Sequence, residues 1–129
     1  MRVFKTEWFI RYARRERIKD ASLAESVAPA ERGIIDGDLR GGLIKQRVAR
    51  PGQGRSGGYR TLIAYRSGDC AVFLYAFAKS ERENIEDDEL ASLREIAAAW
   101  LKADGAALQR QVSEGLAMEV DYDQGTHDA

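Results

Sequence analysis

The segment from Gly41 to Arg66, GGLIKQRVARPGQGRSGGYRTLIAYR, constrains the fold of this chain more than any other. Two strand-like stretches, Leu43 to Ala49 and Tyr59 to Arg66, flank a loop that we predict over Pro51 to Gly58. Glycine and basic residues dominate this loop, so its backbone can approach a polyanion closely. We therefore predict two paired strands here and place the functional centre on them.

A nearly continuous apolar run, CAVFLYAFA, follows this segment at residues 70–78. The tripeptide Ser67-Gly68-Asp69 before it predicts a tight turn. An apolar run without alternation is typical of a strand that is buried on both faces. The three consecutive strands predict an antiparallel meander, and this run is predicted as the buried central strand of the sheet.

A short strand and two helices are predicted before the meander. The strand covers Arg2 to Lys5, and Thr6 suits the N-cap of a helix with an apolar stripe and a basic opposite face. Asp20 suits the start of a second helix, in which Pro29 is expected to kink or split the chain. The stripe of the first helix is Phe9, Ile10 and Ala13, its basic face is Arg11, Arg14, Arg15 and Arg17, and the stripe of the second is Leu23, Val27, Ala30 and Ile34.

The C-terminal third predicts a long helix and a short extension. Four acidic residues at 86–89 favour a helix N-terminus, and an apolar stripe from Leu90 to Leu101 ends at Asp104-Gly105. Ala106 to Gly115 predicts one more short helix, and LAMEV after it a short strand. We expect an α+β domain: an N-terminal strand and helical hairpin, then an antiparallel β-meander covered by a C-terminal helix. Residues 1–105 form the main domain and residues 106–129 a short helical, acidic extension of it.

Composition excludes several classes of protein. The 129 residues suit one domain, and 44% apolar with 32% charged residues is typical of a globular protein with no membrane-spanning run. No secretory signal opens the chain, and the single Cys70 forms no internal disulfide, so we expect a cytoplasmic protein that does not bind membranes. One cysteine and one distant histidine, His127, supply no metal-ligand cluster, and we expect no cofactor.

The charges are divided unevenly along the chain. Residues 1–80 hold 16 Lys and Arg against 8 Asp and Glu, whereas residues 81–129 hold 4 against 13. A basic surface of this density is typical of nucleic-acid binding, although both sets of charges are also compatible with a merely solvated surface.

The stretches VARPGQGRSGGYRTLIAYR and VFLYAFAKSERENI strongly resemble the RelE/ParE superfamily of bacterial type II toxins, and within it the HigB-like branch. The resemblance covers roughly residues 1 to 105 and implies a RelE-like fold. In RelE and HigB members the activity it implies is ribosome-dependent cleavage of messenger RNA, which makes the ribosome and mRNA partners. It also implies a cognate antitoxin, in this branch often a helix-turn-helix protein.

The resemblance implies that five cations of this sequence correspond to catalytic or RNA-contacting cations of the family. They are Lys45, Arg47, Arg60, Lys79 and Arg82. It also implies that the loop with Arg50 and Arg55 grips phosphate. The sequence departs from RelE at two points, with Ser80 at the position of an arginine and Glu86 at that of a tyrosine near the last helix. The identity of the general acid is therefore open.

RNA cleavage by a ribose 2′-hydroxyl needs a base, neutralisation of charge on the phosphate, and an acid for the departing 5′-oxygen. Lys45 and Arg47 are two apart on one strand and therefore share a face, so neighbouring cations favour the base role for Lys45. Arg47 and Arg60 suit bidentate phosphate binding. Glu81 or Glu86 can shuttle a proton, although a surface or helix-terminal carboxylate explains both as well.

Other interpretations of these residues stay open. Tyr59 can stack on a base or pack in the core. The chain can be a ParE-like toxin that poisons DNA gyrase without nuclease activity, or a nucleic-acid-binding module without catalysis. If replacement of Lys45, Arg47 and Arg60 leaves the toxic effect intact, the gyrase-poisoning toxin is favoured. If the protein binds nucleic acid but never cleaves it, the binding module is favoured.

Overall fold

Six strands form one mixed sheet, with four helices packed on its two faces, in the part of the chain that the structure describes. This computed structural model describes residues 1–50 and 54–122, with the backbone alone at residues 54–56. The elements in chain order are β1 Arg2–Thr6, α1 Glu7–Glu16, α2 Asp20–Glu31, β2 Gly37–Asp38, β3 Leu43–Arg50, β4 Gly54–Arg66, β5 Cys70–Ala78, α3 Asp87–Lys102, α4 Gly105–Ser113 and β6 Ala117–Val120.

The strand order is β2-β3-β4-β5-β1-β6. Strands β3, β4 and β5 pair antiparallel in sequence order, which confirms the predicted meander. Strand β1 adds to β5 in parallel, and β6 closes the other side of β1 antiparallel. The α+β prediction is therefore confirmed.

The sheet separates two apolar cores. One core lies under α1 and α2 and contains Phe9, Leu23, Ile63 and Phe73. The other lies under α3 and α4, and its buried members are Phe4, Leu43, Leu62, Ala64, Val72, Leu74, Ala97 and Leu108. Because side chains alternate along a strand, each strand residue can be assigned to one of these faces.

The predicted N-cap of α1 is confirmed, whereas two predictions for α2 are wrong. The Thr6 hydroxyl accepts a hydrogen bond from the Phe9 backbone N–H, which makes Thr6 the N-cap of α1 as predicted. Pro29 does not split α2, because it lies in the last turn and the helix ends two residues later at Glu31. Ile34 was wrongly placed on the α2 stripe, since it follows the helix and is 58% exposed.

The predicted loop between β3 and β4 is shorter than expected. Strand β4 begins at Gly54, not at Tyr59, and its first residues pair with β3 after a register shift between Val48 and Arg50. A Cβ at Gly58 would lie 2.1 Å from the Val48 carbonyl oxygen. Glycine there is therefore required by close strand packing, although the sequence suggested a turn.

The C-terminal elements follow the predicted order. Glu86 is the N-cap of α3, and its backbone N–H donates to the Glu89 carboxylate at 3.1 Å. Helix α4 and strand β6 correspond to the predicted short helix and strand. The division of the chain at residue 105 stays a prediction. Within the described ranges, no helix combines the length and apolarity needed to cross a bilayer.

Candidate active site

Three cationic side chains lie on the α3 face of the sheet. Arg47 on β3 is directly opposite Arg60 on β4, and Lys45 is directly opposite Leu62. Since Leu62 belongs to the core under α3, Lys45, Arg47 and Arg60 all face that side. We call these three residues the cation group. The spacing of Lys45 and Arg47 along the sequence predicted that they share a face. The register between β3 and β4 places Arg60 on the same face.

Arg60 is the most buried member of the cation group. Its residue is 8% exposed, and its Nη1 atom has no hydrogen-bond partner among the described residues. Burial lowers the pKa of Arg60 from its ordinary value, the positive charge of Arg47 lowers it further, and Asp36 opposes both. The guanidinium is thus held away from water beside a second cation, in a position that favours an incoming anion.

Several cations elsewhere in the described structure are paired with carboxylates, whereas no ion pair is found between the cation group and a described carboxylate. Lys5 binds Asp20 at 2.8 Å and Arg66 binds Asp69 at 2.7 Å. Near the cation group, Asp36 accepts a hydrogen bond from the Arg47 backbone N–H at 2.7 Å. The α3 face of the sheet therefore has a net positive charge at the cation group.

A cavity of about 300 Å³ opens beside the cation group. Lys45 and Leu62 line its sheet side, together with Phe77, the residue opposite Arg60 on β5. Polar groups reach it from the segment before α3 and from its first turn, and the complete lining is Leu39, Lys45, Leu62, Phe77, Asn84, Ile85, Asp87 and Leu90. The cavity offers an apolar wall next to cations.

The wall of this cavity is held by α3. The Arg94 Nε atom donates to the Leu39 carbonyl oxygen at 2.7 Å and ties the turn before β3 to the helix. Asp87 is the first residue of α3, and Asn84 lies three residues before it. Sequence reasoning missed both residues, because it considered only Glu81 and Glu86 as proton shuttles and explained Asp87 by its place at the helix N-terminus. Their proximity to Lys45 depends on how α3 folds back over the sheet.

Arg82 and Lys79 lie at the end of β5. The Arg82 guanidinium sits 5.6 Å from the centroid of the Phe77 ring and is paired with Glu89 at 2.7 Å. Hydrogen bonding to Glu89 raises the pKa of Arg82 and correspondingly lowers that of Glu89. Lys79 is exposed, and its backbone N–H donates to the Gly58 carbonyl oxygen at 3.3 Å. Arg82 therefore borders the cavity through Phe77 but is already paired.

Tyr59 lies on the opposite face of β4 from Arg60. It is 1% exposed within the core under α1 and α2, and its hydroxyl donates to Glu16 at 3.1 Å. The Arg50 guanidinium lies 5.7 Å from the centroid of its ring. The structure does not bring Tyr59 and Arg50 into the cation group. The Arg55 side chain lies outside the described residues.

The two candidate proton shuttles are also apart from the cation group. Glu86 caps α3, one residue before the cavity-lining Asp87. Glu81 is exposed. Burial raises the pKa of the Tyr12 and Tyr59 hydroxyls in the core under α1 and α2, and the charges of Glu16 and Glu81 raise it further. The cavity therefore takes its carboxylate from Asp87.

Among the described residues, no three or more His, Cys, Asp and Glu side chains cluster in a way that could hold a metal ion. Cys70 is buried, and its burial raises the pKa of the thiol. The side chains at this site supply ammonium, guanidinium, carboxylate and amide groups.

A family model described as the RelE toxin of the RelE/RelB toxin–antitoxin system matches residues 1–120. A search of curated proteins finds no match to the chain.

Proposed function

Because the chain belongs to the RelE toxin family of toxin–antitoxin systems, we propose that it is a ribosome-dependent endoribonuclease that cleaves mRNA and so inhibits translation. The observation that carries this proposal is the cation group, in which Arg47 and Arg60 face each other and neither is paired with a described carboxylate. We assign the chain to the HigB-like branch on its sequence resemblance.

Arg47 and Arg60 bind the scissile phosphate in this mechanism. Attack on phosphorus adds negative charge to the non-bridging oxygens, and a guanidinium offers them two parallel donors. The Arg60 guanidinium is buried and its Nη1 lacks a described partner, so it is positioned before the RNA arrives. Preorganised donors of this kind lower the activation barrier of phosphodiester cleavage most when water is excluded from the site.

Lys45 takes the proton from the ribose 2′-hydroxyl. It lies two residues before Arg47 on the same strand face and lines the cavity next to Phe77. A lysine accepts a proton in its neutral form. The 2′-oxygen then attacks phosphorus, the 5′-oxygen leaves, and a 2′,3′-cyclic phosphate remains on the upstream fragment.

Asp87 accepts the proton that Lys45 has taken from the 2′-hydroxyl and passes it to the departing 5′-oxygen, so that both side chains return to their starting forms. It is the carboxylate that lines the same cavity as Lys45, whereas Glu86 caps the helix and Glu81 acts on the other face. We therefore assign to Asp87 the role for which the sequence offered Glu81 and Glu86. Lys79 and Arg82 contact the RNA backbone at the rim of the cavity, and we assign the same role to Arg50 in β3 and Arg55 in β4.

The ribosome supplies part of the catalysis. An isolated Lys and Asp are weak acid–base catalysts compared with a histidine pair, so the orientation of the RNA must supply much of the rate. Free RNA is accordingly a poor substrate. The partner that silences the toxin is an antitoxin, for which we propose the helix-turn-helix type.

The test is a reconstituted translation reaction in which mRNA 5′ ends are mapped by primer extension, with and without ribosomes. The wild-type protein is compared with Lys45→Ala/Arg60→Ala and with the control Arg110→Ala, whose side chain is exposed on α4. We expect cuts only with ribosomes, their loss in the double variant and their retention in the control.

Two other results contradict parts of the proposal. Ribosome-dependent cuts that survive in the double variant overturn the site but keep the function. Growth arrest in cells without any cut overturns the nuclease function and makes DNA gyrase the next target, as in ParE toxins.

A further inference from the structure

Gln46 is a polar side chain that is fully buried in an apolar core. Ile44 and Val48, two residues away on either side in β3, belong to the core under α1 and α2, so alternation along the strand places Gln46 on that face. It is 0% exposed. A buried amide costs free energy unless its donors and acceptors are bonded, and an aliphatic side chain would suit such a position better.

The Gln46 amide joins β3 to α2 and to the segment that follows that helix. Its Nε2 atom donates to the Ser26 carbonyl oxygen at 2.9 Å and to the Ile34 carbonyl oxygen at 3.4 Å. Its Oε1 atom accepts from the Asp36 backbone N–H at 2.7 Å. Strand β2, Gly37–Asp38, comes directly after Asp36 and has only two residues. A strand so short makes few ladder hydrogen bonds, so its place beside β3 depends on the Gln46 side chain.

The segment held by Gln46 interacts with every member of the cation group. The Asp36 carboxylate accepts from the Arg47 backbone N–H at 2.7 Å. Gly37 is opposite Lys45, and a Cβ at Gly37 would lie 3.2 Å from the Lys45 Cε atom, so the segment packs against the lysine side chain. Burial and the charge of Arg47 lower the pKa of Arg60, and the charge of Asp36 opposes them.

Arg47 lies where the edge of the sheet is open. Strand β2 pairs with β3 only at Ile44 and Lys45, so the Asp36 carboxylate takes the place of a strand partner for the Arg47 N–H. Asp36 is exposed, and water competes for its carboxylate. The place of this carboxylate therefore depends on the Asp36 backbone, which is bonded to the buried Gln46.

We propose that Gln46 is a positioning residue for the cation group, acting through Asp36 and Gly37. It lies on the opposite face of the sheet and does not meet the RNA, but it fixes the segment that orients Lys45 and Arg47. This inference rests on the proposed function, since it explains how that site is held before the RNA arrives. Positioning of this kind changes the rate at which bound substrate reacts.

The test is single-turnover cleavage, in which ribosome–mRNA complexes are mixed with excess toxin over a range of toxin concentrations. The maximal rate and the half-saturating toxin concentration are separate readouts. Gln46→Leu removes the anchor of the segment, and Asp36→Ala removes the acceptor of the Arg47 N–H at an exposed position that folding does not require. Asp36→Asn is the conservative variant, because its amide oxygen can still accept that hydrogen bond.

Thr61→Val is the control for stability. The Thr61 side chain is buried, and its hydroxyl donates to the Gln46 backbone carbonyl oxygen at 2.9 Å. Valine has the same shape and removes this buried hydrogen bond, so the variant should unfold at a lower temperature than wild type. The bonds from the Gln46 side chain to the segment before β3 are not removed.

We expect Gln46→Leu and Asp36→Ala each to lower the maximal rate about 100-fold, as misplacement of catalytic groups does, with the half-saturating concentration unchanged. Asp36→Asn should restore most of the rate that Asp36→Ala loses, and Thr61→Val should cleave as wild type does. Amide hydrogen exchange followed by NMR should show a protected Arg47 N–H in the wild-type protein and loss of that protection in Gln46→Leu and Asp36→Ala.

Three results overturn the inference alone. Gln46→Leu and Asp36→Ala cleave at the wild-type rate, Thr61→Val loses as much of the rate as they do, or only the half-saturating concentration changes. Failure of the proposed function is a different observation, namely absence of cuts by the wild-type protein. Hydrogen exchange at Arg47 then still decides whether Gln46 holds Asp36 against β3.

Discussion

Arg47 and Arg60 lie directly opposite each other on β3 and β4, so two guanidinium groups share one face of the sheet. Like charges in directly opposed positions destabilise a sheet by about 0.2–1 kcal/mol. Arg60 is in addition nearly buried, with its Nη1 atom unpartnered among the described residues. The arrangement opposes folding and favours binding of an anion, and a phosphate between the two groups would relieve both effects.

Replacing Arg60 by methionine should therefore stabilise the protein while it inactivates the site. Methionine keeps most of the side-chain volume and removes a desolvated charge, so we expect the free energy of unfolding to rise by about 1 kcal/mol. Urea denaturation measures this change, and the translation assay measures the loss of cleavage. Arg66→Met is the control, because Arg66 on the same strand is exposed and paired with Asp69. A lower stability for Arg60→Met than for wild type would mean that the guanidinium supports the fold.

Asp87 and Glu86 are neighbours with different proposed roles. Asp87→Asn should lower the ribosome-dependent cleavage rate by about 100-fold, within the range for loss of a general acid–base group. Glu86→Gln should instead cost about 0.5 kcal/mol of stability by removing a carboxylate from the N-terminus of α3, with cleavage retained. Single-turnover kinetics and urea denaturation separate the two effects. Reversed results would return the proton role to Glu86.

Gly58 is required by the close approach of β3 and β4. An alanine Cβ there would lie 2.1 Å from the Val48 carbonyl oxygen, so the strands would have to separate. We expect Gly58→Ala to lower the free energy of unfolding by about 3 kcal/mol. Gly105→Ala is the matched control, because the nearest atom to its added Cβ is 4.0 Å away. Equal stability of the two variants would refute the assigned register at this position.

Alkaline pH should destabilise the protein through its buried tyrosines. Burial raises the pKa of Tyr65 from 10.0 to about 12, and its hydrogen bond to Glu31 adds to the shift. Burial also raises the pKa of Tyr12, Tyr59 and Tyr122. Because the unfolded chain ionises first, this stability is fully present below pH 10 and is lost as the pH rises towards 12.

The measurement is urea denaturation between pH 8 and pH 12, with tyrosine ionisation followed by absorbance. We expect the free energy of unfolding to decline above about pH 10, and Tyr65→Phe to decline less steeply. Stability that stays level up to pH 12, with all tyrosines ionised, would show that these hydroxyls are not protected by the fold.

Most of the fold was predictable because the long elements carry strong periodic signals. The apolar run at Cys70–Ala78 and the stripe of α3 identify the buried strand and its covering helix. Strand β2 was not predicted, since two residues show no periodicity. The start of β4 was also missed, because glycines at 54–58 suggest a loop whereas pairing with β3 makes them a strand.

The spatial grouping of the candidate site residues was predictable only where it depends on spacing along one strand. Lys45 and Arg47 share a face because they are two residues apart. The position of Arg60 opposite Arg47 depends on the register between strands, which the sequence does not encode locally. Asp87 joins the cavity through the packing of α3 across the sheet, a contact between residues distant in the chain. Tyr59 faces the other core because it is one residue from Arg60.

The most direct test of the account is cleavage of an mRNA bound to the ribosome in which one nucleotide, at the mapped cut, lacks its 2′-hydroxyl. We predict that the all-ribose mRNA is cut there to give a 2′,3′-cyclic phosphate and a 5′-hydroxyl, and that the single 2′-deoxy substitution abolishes the cut. Cleavage of both RNAs at the same position would contradict attack by the 2′-hydroxyl and the role given to Lys45. Absence of cleavage of either RNA would contradict the nuclease function itself.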